Sequence, residues 1–219
     1  MTVGLALAVV GSWIFGAILQ DVLANEEIAL FDRPILRFFV THRDSVLNDA
    51  MRIVTLLGGA VFVTGAMALA AIVWFLRTRS FRWPAFLALT LAGALGLDDV
   101  VKALVDRPRP SLHPLVHATG SSFPSDHATA AAALFGSIAF VLTRNRDWRS
   151  SVWIWAGALF LSLLVALSRV YLGVHWPTDV LGGLALGGFW TAVTATATAL
   201  QRSAQKGPDS GKKQRVALP

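Results

Sequence analysis

The chain of 219 residues contains no cysteine, which excludes disulfide cross-links and thiolate metal sites. Charge is scarce as well. Only 15% of the residues are Asp, Glu, Lys or Arg, against roughly a quarter in ordinary soluble domains. No internal repeat is visible. The opening Met1-Thr2-Val3-Gly4 lacks the basic segment that begins a signal peptide, so the first apolar block is expected to be a retained span.

Hydrocarbon is present in excess. Hydrophobic residues make up 55% of the chain and mean hydropathy is +0.60. These residues come in long blocks rather than periodic stripes; Ile53 to Leu76 runs without a charge. About 20 residues of helix cross the hydrocarbon core of a bilayer. A single buried core helix of that length is rare in a soluble protein, and several in one chain are rarer still. The composition therefore predicts an all-α, polytopic membrane protein. Its six transmembrane helices form a bundle and lie at about 3–24, 53–76, 83–104, 125–143, 151–170 and 178–200.

The loops give an orientation. Net charge is +6, and so basic a chain could suggest nucleic acid. The charges, however, sit between apolar blocks and in the tail, which excludes that partner. Arg77, Arg79 and Arg82 lie between spans two and three, and Arg144, Arg146 and Arg149 between four and five. Arg202, Lys206, Lys212, Lys213 and Arg215 follow span six. Eleven of the 19 basic residues thus share one side, which the positive-inside rule assigns to the cytoplasm. Trp74, Trp83, Trp148 and Trp153 flank the same loops as interfacial anchors. Both termini are then expected in the cytoplasm of a cell (inner) membrane protein. Residues 1–202 form one six-span domain, and 203–219 a flexible basic tail able to touch anionic lipid.

Between spans one and two, residues 28–39 mix Phe31, Ile35, Leu36, Phe38 and Phe39 with Asp32, Arg33 and Arg37. Two readings stand: a short interfacial helix on the outer leaflet, or a packed cap over the bundle. Gly183 and Gly187 form a small-xxx-small pair that favours close helix packing.

Three polar clusters remain, all at extracytoplasmic ends of spans in this topology. They are Lys102-Ala-Leu-Val-Asp-Arg-Pro-Arg109-Pro110, Ser122-Phe-Pro124-Ser125-Asp126-His127, and Ser168-Arg169 followed by His175-Trp-Pro-Thr-Asp179. Ionisable groups at membrane depth are costly and mark function. Lys102, Arg109 and Arg169 can converge on one anion, arginine through its planar fork and lysine as a point charge. Pro124-Ser125 at a helix start leaves free N–H groups for phosphate. The Ser125 hydroxyl can serve as a simple N-cap, as another phosphate donor, or as both. Asp179, four residues after His175, can fix the imidazole tautomer and stabilise its cation. The other ring nitrogen can then attack phosphorus, while His127 acts as acid and base. Asp98 or Asp99 can hold the Lys102 ammonium in place. Tyr171 can line the pocket or pack in the core. His42 reads as interfacial, and His113 and His117 as surface residues.

This arrangement resembles the type-2 phosphatidic acid phosphatase superfamily over roughly residues 1–200. Lys102, Arg109 and Pro110 match the first motif, Pro124, Ser125 and His127 the second, and Ser168, Arg169, His175 and Asp179 the third. The resemblance implies a metal-independent phosphohistidine intermediate on His175, without cofactor, with His127 as acid/base. It also implies that Lys102, Arg109, Ser125 and Arg169 bind the phosphate. Asp126 belongs to the same phosphate-binding run, but it replaces the family's glycine. It keeps the N–H and adds a carboxylate that repels an anion unless it turns to Arg107 or Arg109, or raises the basicity of His127. A Pro-Ser-Asp-His run looks like bacterial undecaprenyl-pyrophosphate phosphatases. Undecaprenyl pyrophosphate is therefore the first-choice lipid phosphate substrate, with phosphatidylglycerol phosphate and phosphatidic acid as alternatives. Vanadium haloperoxidases share the motifs but are soluble and longer. A non-catalytic carrier of anionic lipid would need the cations without the paired histidines.

Overall fold

A computed structural model describes residues 2–24 and 27–205, and all regular structure among them is helical. The elements are α1 (Thr2–Ala24), α2 (Glu27–Leu30), α3 (Asp32–Thr41), α4 (Ser45–Leu56), α5 (Ala60–Thr78), α6 (Arg82–Val105), α7 (Asp126–Thr143), α8 (Trp148–Tyr171) and α9 (Pro177–Gln205). Six of them, α1 and α5 to α9, are long and apolar enough to cross a membrane. Large apolar side chains stay exposed along their outer faces, including Trp13 on α1, Val61 and Leu69 on α5, and Leu159 and Phe160 on α8. In water this would be a liability; in lipid it is the required surface.

The bundle is organised around α7, the most enclosed span. Its sequence explains the position. Ala128, Ala130, Ala131, Ala133 and Ala139 are all buried, so neighbouring backbones can come close. A Cβ added to Gly183 of α9 would lie 2.6 Å from the Ser125 carbonyl, and one at Gly187 would collide with the Thr129 carbonyl. The small-residue pair on α9 therefore seats directly on α7. A second cluster, at the opposite end of the bundle from the polar motifs, joins Val63 and Met67 of α5 to Trp83, Phe86 and Leu87 of α6 and Leu134 of α7.

Two segments differ from the sequence expectation. The predicted second span, 53–76, is not continuous: residues 53–56 end α4, and the chain breaks at Leu57-Gly58-Gly59 before α5. Hydropathy cannot register this break, because the whole run is apolar. Packing causes it, since a Cβ on Gly58 would lie 2.5 Å from Val165 Cγ1 and 3.0 Å from the His127 carbonyl. The expected single helix between spans one and two is three helices. α4 begins at an N-cap, Asp44, whose carboxylate accepts the Leu47 N–H at 2.9 Å. The 28–39 segment packs one face on the bundle, as the cap reading expects. Asp32 and Leu36 of α3 are buried against the bundle, while Phe31 and Phe38 are exposed. α9 continues to Gln205, beyond the predicted start of the tail, and residues 206–219 lie outside the described residues.

Candidate active site

The C-terminal ends of α6 and α8 and the N-terminal ends of α7 and α9 meet at one end of the bundle, and they carry the three polar motifs there. The entry into α9 is tightly specified. Pro177 takes the first helical position, where a missing N–H costs nothing. Asp179 then reaches back, its Oδ2 accepting the Trp176 N–H at 2.8 Å. This is the reciprocal half of a capping box. The Asp179 carbonyl accepts the Ser125 N–H at 3.0 Å, so the starts of α7 and α9 are tied together. Ser125 therefore does not offer its own N–H to a ligand; the following N–H groups of the first turn of α7 have no partner within the helix. On the other side, Gly173 ends α8 at φ +79, where a Cβ would lie 2.8 Å from the Arg43 guanidinium. Only glycine fits there without strain, and the turn that it makes delivers His175.

His175 is fully buried. Its Nδ1 lies 2.8 Å from the Ser122 carbonyl and 3.5 Å from Asp179 Oδ2. A carbonyl can only accept, so Nδ1 carries the proton and the neutral ring has its lone pair on Nε2. Nε2 lies 3.0 Å from Arg109 and 3.6 Å from Asp126 Oδ1. The sequence expectation assigned tautomer control to Asp179. The shorter contact belongs to the Ser122 carbonyl, which no side-chain motif could reveal, and Asp179 stands second to it.

Asp126 turns towards the histidines rather than towards Arg107 or Arg109. Its Oδ1 is 3.4 Å from His127 Nδ1, though not aligned for a hydrogen bond. Lys102 and Arg169 are both within electrostatic range of this carboxylate. Arg109 is held by loop carbonyls, donating to Thr119 at 2.9 Å, Gly120 at 3.0 Å, Ser121 at 3.2 Å and Val174 at 3.0 Å. Lys102 pairs with Asp98, one helical turn back, and Asp98 also accepts the Thr129 hydroxyl at 2.7 Å. Asp99, one residue round the helix, is exposed. Arg169 is buried and donates to Thr55 on α4 at 2.9 Å. Its Nε and the Ser125 hydroxyl are buried without a protein partner. Such orphaned donors cost about 1–3 kcal/mol each unless something fills them. Among the described residues no group of three His, Cys, Asp or Glu side chains is placed to hold a metal ion.

The structure thus gathers His175, Asp179, Arg109 and Asp126 directly, His127 through Asp126, and Ser125 through its link to Asp179. His113 and His117 are exposed. Tyr171 is a core residue whose hydroxyl donates to Asn48 at 2.9 Å. Four contributors were not singled out as site residues by sequence: Ser122, Thr55, Asp32 and Arg107. Arg107 lies inside the first motif run, so it was within reach. Asp32 carries no local signal at all.

The PAP2 superfamily model matches residues 81–202. Phosphatidylglycerophosphatase B of Bacillus subtilis is 34% identical over 183 residues, covering 81% of this chain and 88% of that protein. The chain belongs to the PAP2 superfamily. Another relative within it is the undecaprenyl-diphosphatase BcrC of Bacillus subtilis, 35% identical over 150 residues, covering 66% of this chain and 72% of that one. Among solved structures, the transmembrane PAP2-type phosphatidylglycerolphosphate phosphatase from Bacillus subtilis superposes with a TM-score of 0.79 at 28% identity. That match covers 91% of this chain and 98% of the other. The six-span architecture of the present PAP2 protein is accordingly that of a known membrane phosphatase.

Proposed function

We propose that this PAP2 protein hydrolyses a lipid phosphate through a phosphohistidine on His175, on the extracytoplasmic face of the cell membrane. The class of enzyme, a membrane-embedded phosphatase, rests on the family and its relatives. The observation that carries the mechanism is the ring of His175. With Nδ1 on the Ser122 carbonyl, its Nε2 lone pair sits beside Arg109, in a site where Ser125 Oγ and Arg169 Nε await an acceptor.

The chemistry follows from that placement. Lys102, Arg109, Arg169 and Ser125 hold the phosphoryl oxygens, neutralising charge as it develops. Nε2 attacks phosphorus, the N–P bond forms, and the P–O bond to the lipid breaks. Protonated His127 gives its proton to the departing oxygen. A water molecule then loses a proton to the same imidazole and attacks phosphorus. The N–P bond breaks, its electron pair returns to Nε2, and inorganic phosphate leaves. Asp179 favours the cationic ring of the intermediate.

Undecaprenyl pyrophosphate is the substrate we put first, supported by the Ser125-Asp126-His127 run and by the similarity to BcrC. Phosphatidylglycerol phosphate is the second reading, favoured by the broader similarity to phosphatidylglycerophosphatase B. Purified protein in detergent, assayed for phosphate release from each lipid beside His175→Ala, tests both points. The rank order of turnover identifies the substrate. Equal release by wild type and variant would remove His175 from the mechanism.

A further inference from the structure

Asp32 lies on α3, far in sequence from the three motifs, yet only 2% of it is exposed. Its Oδ1 accepts the Thr178 N–H at 2.9 Å. Its Oδ2 accepts the Thr178 hydroxyl at 2.6 Å and the Arg107 guanidinium at 2.7 Å. The other terminal nitrogen of Arg107 donates to Asp179 Oδ1 at 2.5 Å and to the Thr178 hydroxyl at 2.7 Å. The remaining oxygen of Asp179 faces His175 Nδ1 at 3.5 Å. A continuous buried path therefore runs from α3 through Arg107 and Thr178 to Asp179, and on to His175.

The charges along this path have a consequence. One guanidinium is shared between two carboxylates. Arg107 alone against Asp179 would form a closed pair, cancelling the field that Asp179 exerts on the imidazole. Asp32 takes part of Arg107 and leaves the pair with an excess negative charge. That excess favours a cationic His175 ring, as in the phosphorylated enzyme. The same carboxylate sits on the Thr178 N–H in the first turn of α9, where a negative group is favoured by the helix dipole. It thereby fixes the turn from His175 to Asp179 as well as its electrostatics.

We propose that Asp32 is a positioning residue for the phosphatase reaction, acting through Arg107 and Thr178 to orient Asp179 and keep its charge available to His175. This rests on the phosphohistidine reading of His175 given above. It also gives α3 a role in the chemistry: Phe31 at its N-cap and Phe38 on the helix are exposed, while its Asp32 reaches into the buried path to the nucleophile.

The test is steady-state kinetics of purified wild type, Asp32→Asn and Thr178→Val on the lipid that wild type turns over fastest, with thermal midpoints measured alongside. Asp32→Asn keeps the shape and removes the charge; kcat should fall on the order of 10- to 100-fold, as for a misplaced catalytic group. Thr178→Val removes only the bridging hydroxyl, which donates to Asp32 and accepts from Arg107, and should lower kcat roughly three- to tenfold. In both, KM should stay within about twofold of wild type, because the interaction is one made in the transition state and not in binding. A purely structural role would instead lower the thermal midpoint and leave kcat per folded enzyme unchanged. If Asp32→Asn is not recovered folded, Thr178→Val decides alone. Values of kcat within about twofold of wild type, or a KM that rises as kcat falls, would overturn the proposal. A wild type that releases no phosphate, or one matched by His175→Ala, would overturn the phosphohistidine reading instead.

Discussion

Gly183 on α9 offers a sharp test of the packing that holds the two histidines in register. A Cβ there would lie 2.6 Å from the Ser125 carbonyl, 3.0 Å from Ala128 Cβ and 3.1 Å from Thr129 Oγ1. The first of these is backbone, and the helix behind it cannot swing aside as a flexible side chain would. Gly188, five residues further along the same helix, has nothing within 4 Å. Replacing each by alanine gives the same gain in helix propensity, about 1 kcal/mol in an interior position. The difference between the two variants therefore isolates the steric term. Overpacking of this kind costs about 1–3 kcal/mol, and at ~2–4 °C per kcal/mol for a chain of this length the melting temperatures should separate by roughly 2–12 °C. Gly188→Ala should melt at or above wild type. The same displacement reaches the chemistry, because Ser125 is bonded through its N–H to the Asp179 carbonyl. Moving α7 off α9 by a few tenths of an ångström shifts His127 relative to His175, so Gly183→Ala should also lose on the order of tenfold in kcat. Thermal unfolding in detergent followed by tryptophan fluorescence, with phosphate release on the same samples, measures both. Gly183→Ala and Gly188→Ala variants that melt within about a degree of each other and are equally active would refute the close packing of α7 on α9.

Two further perturbations address charge and topology. Asp126→Gly removes a carboxylate 3.6 Å from His175 Nε2 and 3.4 Å from His127. A like charge at such range opposes an anion by about 1 kcal/mol or more, so orthovanadate inhibition should tighten at least about fivefold; an unchanged or weaker inhibition constant would show that the carboxylate does not face the bound anion. For topology, an alkaline phosphatase reporter fused after Leu200 should be silent in cells, and an active fusion would invert the assignment of the basic loops.

The spans were legible in the sequence because lipid imposes a one-dimensional rule: apolar blocks of sufficient length, separated by charge. The break at Leu57-Gly58-Gly59 escaped that rule, because it is enforced by Val165 and the His127 carbonyl, far along the chain. The site divides in the same way. His175, His127, Lys102, Arg109 and Arg169 announce themselves as ionisable groups at span ends. Asp98 was legible as a partner for Lys102 because the two are a helical turn apart. Thr55 meets Arg169 across 114 residues, and Asp32 meets Arg107 across 75. No local pattern encodes such pairings; they exist only once α3 and α4 have folded back onto the ends of the spans. The Ser122 carbonyl is further out of reach, because every residue has one, and only the loop geometry decides that this one faces His175 53 residues away.

That carbonyl changes how the work at His175 is divided. A carboxylate bonded tightly to Nδ1 would have to fix the tautomer before attack and stabilise the cation after it. In the proposed phosphohistidine mechanism the two tasks belong to different groups. The Ser122 carbonyl, neutral and at 2.8 Å, sets the proton on Nδ1 and leaves the lone pair on Nε2 without pulling the ring towards its charged form. Asp179, at 3.5 Å and shared with Arg107 and the Trp176 N–H, acts mainly through its field. The field matters little to a neutral imidazole and most to the ring that carries both a proton and a phosphoryl group, which is the differential interaction that lowers a barrier. On this view the network reaching from Asp32 tunes the stability of the intermediate rather than the readiness of the nucleophile. Loss of Asp32 should then slow turnover without weakening the binding of the lipid.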